Sequence, residues 1–309
     1  GSAFKPIVYT AALARGFSPS DIVVDEPVSY PGAQGKPWVP TNYSGTHEGP
    51  MPLRRALAKS VNIVAIKLLD RVGIPSAMET ARKLGIRTPL QPYLPLALGA
   101  SDVTLIDMVT AYGVFANQGI RVEPRAVLRI VDTRGRVVEE REAALEEVLS
   151  QELASQMVSL LEGVVQSGTG YQAKSLGRPL AGKTGTTNDF RDAWFIGFSP
   201  RIIAGVWVGY DDHRPLEPKE TGARAALPIW MAVMKEALKD QPKEPFPVAA
   251  NLVSAEIDPA SGKLARPGCP AKVRELFAPA RIPSEPCPLH APPAGRTGTI
   301  DNYNLIFFR

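Results

Sequence analysis

The chain has 309 residues, 44% of them hydrophobic, and a net charge of +4. That is enough apolar material for one large domain or two, and its positive charge is too slight and scattered to argue for a nucleic-acid partner. There is no run of eighteen apolar residues to span a bilayer. Because the chain opens at Gly1-Ser2 without a methionine, it reads as a fragment or a processed chain whose targeting segment would lie upstream.

Ser2-Ala3-Phe4-Lys5-Pro6 starts a helical pattern that continues through Ile7, Val8, Ala11, Ala12 and Leu13 and stops at Gly16. Pro6 is tolerated because it falls in the first turn. Ser2 and Lys5 are three apart, so on a helix they share a face, although for this tetrad alone Ser2 reads better as a plain helix cap. Residues 17 to 50 are rich in Pro, Gly, Ser and Tyr without helical period. They read as an irregular connection that Trp38, Asn42 and Tyr43 could anchor. Helix signals return at Pro52 and run through Leu53, Ala56 and Leu57. Lys59-Ser60-Val61-Asn62 comes next, then Ile63, Val64, Ile66, Leu68 and Leu69 up to Gly73. Ser60 and Asn62 point to one side only if the helix is interrupted between them; otherwise Ser60 simply caps the second helix.

Pro75 to Leu84 reads as a helix ended by Gly85, and Ser101 to Thr104 caps a longer one that stops at Gly119. Val127 to Val138 forms a β-hairpin with Gly135 in its turn. The acidic run Glu139 to Glu147 reads as a solvated linker and helix start. Ser150 to Val165 is amphipathic and is followed by a flexible Gly168-Thr169-Gly170.

Gly177 to Thr184 fits the phosphate-loop pattern G-x-x-x-x-G-K-[ST], but such a loop must open a helix. Here Lys183 is followed by Gly185, Thr186 and Thr187, then by the β-favouring Trp194, Phe195, Ile196 and Phe198. The better reading is an edge strand, Lys183-Thr184-Gly185, with a cation and hydroxyls facing a cleft and a glycine that lets a ligand approach the backbone. A turn at Ser199-Pro200, a strand from Ile202 to Tyr210 and a helix from Ala225 to Leu238 complete an α/β sandwich with an antiparallel sheet. Asp192, Trp194, Trp207 and Trp230 read as packing and strand-end structure.

Beyond Gln241 proline rises and periodicity fades, so 241–309 reads as a separate proline-rich extension. Cys269 and Cys287 enclose a loop whose bridging would contribute about 3 kcal/mol; two unpaired thiols fit the spacing as well. His47, His213 and His290 show no ligand spacing, so no metal and no cofactor are assigned. The apolar tail Tyr303 to Arg309 has no reading of its own.

Ser2-x-x-Lys5, Ser60-x-Asn62 and Lys183-Thr-Gly-Thr186, in this order, form a specific set. With them the chain resembles the transpeptidase domain of the bifunctional (class A) penicillin-binding proteins. The likeness extends to Trp38-Val-Pro-Thr-Asn-Tyr43, Leu96-Ala-Leu-Gly-Ala100, Met108 to Gly119, Gly168-Thr-Gly170, Asp192-Ala-Trp-Phe-Ile-Gly197 and Gly205 to Asp211. It covers about residues 1 to 240, with looser similarity from Asp258 to Cys287.

The resemblance implies an α/β fold of the α+β type, with an antiparallel sheet flanked by helices, a mostly helical subdomain, and the family's N-terminal strands missing. It implies a serine D,D-transpeptidase that cross-links peptidoglycan stem peptides ending in D-Ala-D-Ala and is acylated by β-lactams. Ser2 would be the nucleophile, Lys5 its base, Ser60 a proton relay, and Asn62 a holder of the substrate amide. Lys183, Thr184 and Thr186 would hold the terminal carboxylate beside Gly185, and the Ser2 and Thr186 N–H groups would form the oxyanion hole. A D,D-carboxypeptidase, or a module that binds cell-wall peptides or β-lactams without turnover, stays open as an alternative. The family works on the periplasmic face of the cytoplasmic membrane, and its parents carry a membrane anchor and a glycosyltransferase domain outside this chain. No Glu-x-x-x-Asn motif lies between Asn62 and Lys183, so a long-lived acyl adduct is expected. A helix that starts at a terminus frays, so weak catalysis by this fragment is expected.

Overall fold

Helix α1 (Lys5–Ala14) is enclosed on all sides, with every residue from Lys5 to Leu13 buried. A helix apolar all round belongs at the centre of a core. A 3₁₀ turn, Ser2–Phe4, leads into it, and Gly16, in the left-handed region at φ +92°, follows its end. The computed structural model describes residues 1–32 and 35–290, together with the strand backbone at Ile306–Phe307.

Short antiparallel pairs follow. Strands β1 (Ile22–Asp25), β2 (Tyr30–Pro31), β3 (Pro37–Trp38) and β4 (Gly49–Pro52) pair as β1 with β4 and β2 with β3. Helices α2 (Leu53–Ala58), α3 (Asn62–Val72), α4 (Ile74–Leu84) and α5 (Leu105–Ala116) come next. The Thr104 side chain caps α5 by accepting the Asp107 N–H. Strand β5 (Ile120–Val122) precedes an exposed hairpin of β6 (Arg129–Val131) and β7 (Val137–Glu140), and β8 (Leu145–Glu147) returns to pair with β5. The acidic run is therefore strand, not linker and helix start. Its exposed edge tolerates charge, and Glu146 lies directly across from Arg121, with which it forms an ion pair.

Helix α6 (Gln151–Ser167) is capped by Ser150. Strands β9 (Ala181–Thr186), β10 (Asp192–Phe198) and β11 (Ile203–Gly209) form a three-stranded antiparallel sheet in the order β11-β10-β9, leaving β9 at an edge. Helix α7 (Leu227–Ala237) covers one face. On β10 the side chains alternate: Ile196 and Phe198 join the core built around α1, α5 and α6, while Phe195 packs edge-on against Trp230 of α7 at 4.8 Å between ring centroids. The fold is thus mixed helix and antiparallel strand. The expected sheet is broken into small pieces, none wider than three strands among the described residues.

Beyond residue 240, β12 (Val253–Ile257) pairs with β13 (Val273–Phe277), and β14 (Ile306–Phe307) adds to β12. The rest of the apolar tail lies outside the described residues. This part docks on the larger body more firmly than a proline-rich extension suggests. Phe246 meets Phe198 at 5.6 Å, the Ser155 hydroxyl accepts the Ala249 N–H at 3.0 Å, and Arg54 of α2 forms a buried ion pair with Glu275 of β13. Cys269 and Cys287 are buried free thiols, so the bridge that spacing allowed is not formed. Among the described residues no helix is long and apolar enough to cross a membrane.

Candidate active site

Three remote segments meet beside the first turn of the chain. Lys5 is fully buried, and its Nζ donates to the Ser60 carbonyl at 2.6 Å, to Asn62 Oδ1 at 2.7 Å and to Ser60 Oγ at 3.2 Å. Lys183, also fully buried, donates to Ser60 Oγ at 2.8 Å and to the Thr184 carbonyl at 3.1 Å. One hydroxyl therefore sits between two amines. Strand register explains the Lys183 position. It lies opposite Ile196, on the α1 side of the sheet, while Thr184 points the other way and shares a 2.6 Å hydrogen bond with Thr169.

Ser60 reaches this place because the helix is interrupted there. It adopts φ +59° between α2 and α3, with Val61 extended behind it. Ser60 caps nothing. The start of α3 is capped from a distance by Asn42, whose Oδ1 accepts the Asn62 and Ile63 N–H groups at 3.0 and 3.2 Å. Asn42 is in turn held by Asp25 at 2.8 Å. Of the three proposed anchors of the 17–50 stretch, Asn42 works in this way and Trp38 packs on the core. Tyr43 is 72% exposed and instead meets Phe190 edge-on, with ring centroids 6.3 Å apart.

Ser2 is half-buried on its 3₁₀ turn, one step ahead of Lys5. Among the described residues no hydrogen bond ties its hydroxyl down, to Lys5 or to any other group. The turn itself is fixed. The Gly1 nitrogen donates to the Gly99 carbonyl at 2.6 Å, the Tyr112 hydroxyl donates to the Ala3 carbonyl at 2.6 Å, and the Phe4 N–H donates to the Gly1 carbonyl at 3.0 Å. These ties oppose the fraying expected of a terminal helix. Edge strand β9 passes directly alongside. A side-chain carbon at Gly185 would fall 3.1 Å from the Ala3 nitrogen, and one at Gly1 would fall 3.0 Å from the Thr186 carbonyl. Thr186 Oγ1 accepts the Gly222 N–H at 3.1 Å.

The phosphate-loop reading fails here because Lys183 lies within a strand and is followed by more strand, with no helix N-terminus to hold an anion. The glycine turn Gly168–Gly170 is also pinned: the Thr169 N–H donates to the Ala58 carbonyl at 3.0 Å. Sequence reasoning missed Tyr112, Asp25 and Thr169, because an aromatic in a helix reads as core and a lone Asp or Thr as surface.

Electrostatics separate the two amines from ordinary lysines. Burial pushes the Lys5 amine well below its usual value, and the Lys183 charge pushes in the same direction. Burial alone lowers Lys183 to about 7.

A buried pair of amines thus shares one serine hydroxyl, beside a short turn that carries a second serine and along the unpaired edge of β9. The family described as the penicillin binding protein transpeptidase domain matches residues 1–235, and the chain belongs to that family. The family described as the penicillin-binding protein 1A C-terminal domain matches residues 248–292. Penicillin-binding protein 1A of Aquifex aeolicus is 42% identical over 270 residues, covering 87% of this chain and 37% of that protein. The Pseudomonas aeruginosa protein of the same name is 36% identical, covering 90% of this chain and 40% of its own length. This chain thus spans about two fifths of the curated relatives it matches. Among solved structures, penicillin-binding protein 1A from Haemophilus influenzae superposes with a TM-score of 0.87 at 30% identity, covering 93% of this chain and 48% of that one. PonA1 from Mycobacterium tuberculosis, solved in complex with penicillin V, gives 0.71 at 27% identity, covering 80% of this chain and 71% of that one.

Proposed function

We propose that the chain is the acyl-transferring part of a serine D,D-transpeptidase, with residues 1–240 as the catalytic unit, acting on peptidoglycan stem peptides and acylated by β-lactams. The observation that carries this is the hydrogen-bonded chain from Lys183 through Ser60 to Lys5, set against edge strand β9. A neutral Lys5 can keep two donations, to the Ser60 carbonyl and Asn62, and turn its lone pair toward a hydroxyl. It takes the Ser2 proton as Ser2 Oγ bonds to the carbonyl carbon between the last two D-alanines. Ser60 then passes a proton from Lys5 to the leaving nitrogen, and D-alanine departs. A free lysine holds its proton at neutral pH, and reversing that asks about 4 kcal/mol of its surroundings. Burial and the neighbouring cation act in that direction.

The unpaired edge of β9 accepts the extended substrate as an added strand, with Lys183 and Thr186 toward its terminal carboxylate and Asn62 toward its amide, whereas the Thr184 hydroxyl, expected to join them, is engaged by Thr169 on the other side of the strand. The N–H groups of Ser2 and Thr186 flank the position of the oxyanion, where one donor is typically worth about 3–4 kcal/mol. Such a unit would work outside the cytoplasmic membrane, where peptidoglycan is cross-linked, as part of a longer protein like its relatives.

Two measurements test this reading. Incubation with a penicillin is expected to add the mass of one intact antibiotic to the peptide that carries Ser2, and the adduct should persist. Absence of an adduct, or one on another residue, would sink the proposal. The pH profile is the second. Lys5 works as a base only when neutral, and Lys183 holds a carboxylate only when charged. The acylation rate constant should therefore rise as Lys5 loses its proton and fall as pH passes upward through about 7, where Lys183 loses its own. Once the ligand carboxylate is bound, the descending limb moves to higher pH, so kcat and kcat/KM should separate on that side. A profile flat from about pH 6 to 9 contradicts these roles.

A further inference from the structure

Outside the catalytic cleft, four metal-ligating side chains converge in the small C-terminal unit. Asp258, Cys269, Cys287 and His290 place one donor atom each within 4.8 Å of one another. Cys287 Sγ lies 2.7 Å from Asp258 Oδ2 and 3.2 Å from His290 Nδ1, and that nitrogen lies 3.3 Å from Asp258 Oδ2. Around a tetrahedral zinc ion, with bonds of about 2.0–2.3 Å, neighbouring donors stand roughly 3.3–3.8 Å apart. The four groups are thus already drawn together on the scale of a first coordination sphere. We propose that Asp258, Cys269, Cys287 and His290 bind one zinc ion as a closed structural site.

The surroundings favour this over two simpler states. Asp258 is 1% exposed, and among the described residues its ion-pair partner is His290 alone. The thiol, hydroxyl and imidazole around this buried carboxylate give it hydrogen bonds but no permanently charged cation, and a divalent ion would supply one. A Cys269–Cys287 bridge would use two of the four donors and leave Asp258 and His290 unexplained. The donor set of two thiols, an imidazole and a carboxylate suits tetrahedral zinc and leaves no open position for chemistry. On binding, both thiol protons go to solvent and the sulfurs ligate as thiolates.

The framework around the ligands is built as metal sites usually are. The Arg266 N–H donates to Cys269 Sγ at 3.2 Å, and Asp258 accepts from the Ser261 hydroxyl at 3.0 Å and the Ala260 N–H at 3.1 Å. The Cys287 N–H is held by the Leu264 carbonyl at 2.8 Å. The core beneath is slight: Ala255, Ile257, Leu264 and Phe277 with Ile282. A cluster this small contributes little stability of its own, so beyond the docking onto α2 and α6 a cross-link or a metal at this end would add to what holds the unit. The pattern Cys287-Pro-Leu-His290 is the sequence signal that a search for histidine pairs alone passes over.

The test uses the whole chain, stripped with a chelator under reductant and then given Zn²⁺ or, as a spectroscopic probe, Co²⁺. Elemental analysis should find about one zinc per chain, and Cys287→Ser and His290→Ala should each lower that at least about tenfold. Co²⁺ should give the visible bands of a tetrahedral ion together with sulfur charge transfer. Both variants should still be acylated by a penicillin at the wild-type rate, which separates loss of metal from loss of fold. If a variant does not fold, the wild-type cobalt spectrum decides. The proposal is overturned if reduced wild-type chain holds less than about a tenth of an equivalent of zinc, or if Cys287→Ser holds as much as wild type. It is also overturned if chain isolated without reductant carries a Cys269–Cys287 disulfide and takes no metal once reduced.

Discussion

Replacing Lys5 with methionine should slow acylation by a penicillin about 10²- to 10⁴-fold, the range that a positioned general base contributes. Methionine keeps most of the stem packing inside the α1 core and removes only the amine. The Ser60 carbonyl and Asn62 Oδ1 lose a donor, which costs about 1–3 kcal/mol for each acceptor that water does not reach. Against that stands the relief of no longer burying an amine next to Lys183. The folded state should therefore survive, and circular dichroism of the variant should match wild type. The pH profile makes the test specific: in Lys5→Met the ascending limb should disappear while the descending limb near 7, which belongs to Lys183, remains. Ser2→Ala, which removes the attacking oxygen, should give no covalent adduct at any pH. If Lys5→Met acylates within tenfold of wild type with both limbs intact, another group takes the Ser2 proton.

Local signals carried the placement of this cluster surprisingly unevenly. Each motif lies within a few residues, and helix or strand period fixes which way such residues point; the contacts found join Lys5, Ser60, Asn62 and Lys183, while the Ser2 hydroxyl makes no hydrogen bond to them among the described residues. The break at Ser60 followed from the need to bring Ser60 and Asn62 to one side, and the backbone meets it with a left-handed residue. What no local pattern shows is a partner from far along the chain. Asn42 caps α3 across twenty residues, Tyr112 holds the Ala3 carbonyl, and Arg121 draws the acidic segment into a strand beside β5. The same limit hid the docking of the C-terminal part. Proline content and lost periodicity describe its loops correctly, yet its attachment depends on single residues, Phe246, Ala249 and Glu275, that meet α2, α6 and β10.

The second large effect concerns that attachment. Arg54 of α2 forms a two-pronged contact with Glu275 through Nε and a terminal nitrogen, and its guanidinium also reaches the Ser159 carbonyl and hydroxyl, each at 2.8 Å. The Glu275 side chain is 3% exposed. Removing one partner of a buried pair leaves an uncompensated charge and costs about 3–5 kcal/mol. Arg54→Met should lower the urea midpoint accordingly, at constant m. The double variant Arg54→Met/Glu275→Leu should recover much of the loss, since no stranded charge remains. The loss should also depend on pH through Glu162, whose carboxyl is raised by burial to about 7 against the pull of Arg54. A carboxyl raised on folding stabilises below its unfolded value near 4.5 and loses that contribution as pH rises through 7. Without Arg54 it rises further, so the gap between Arg54→Met and wild type should widen from about pH 5 to pH 8. A gap that is constant across that range, or a double variant less stable than Arg54→Met, would mean that the pair is not what fastens β13 to α2. Because α2 leads directly into Ser60, a loosened α2 should also slow acylation, though far less than Lys5→Met does.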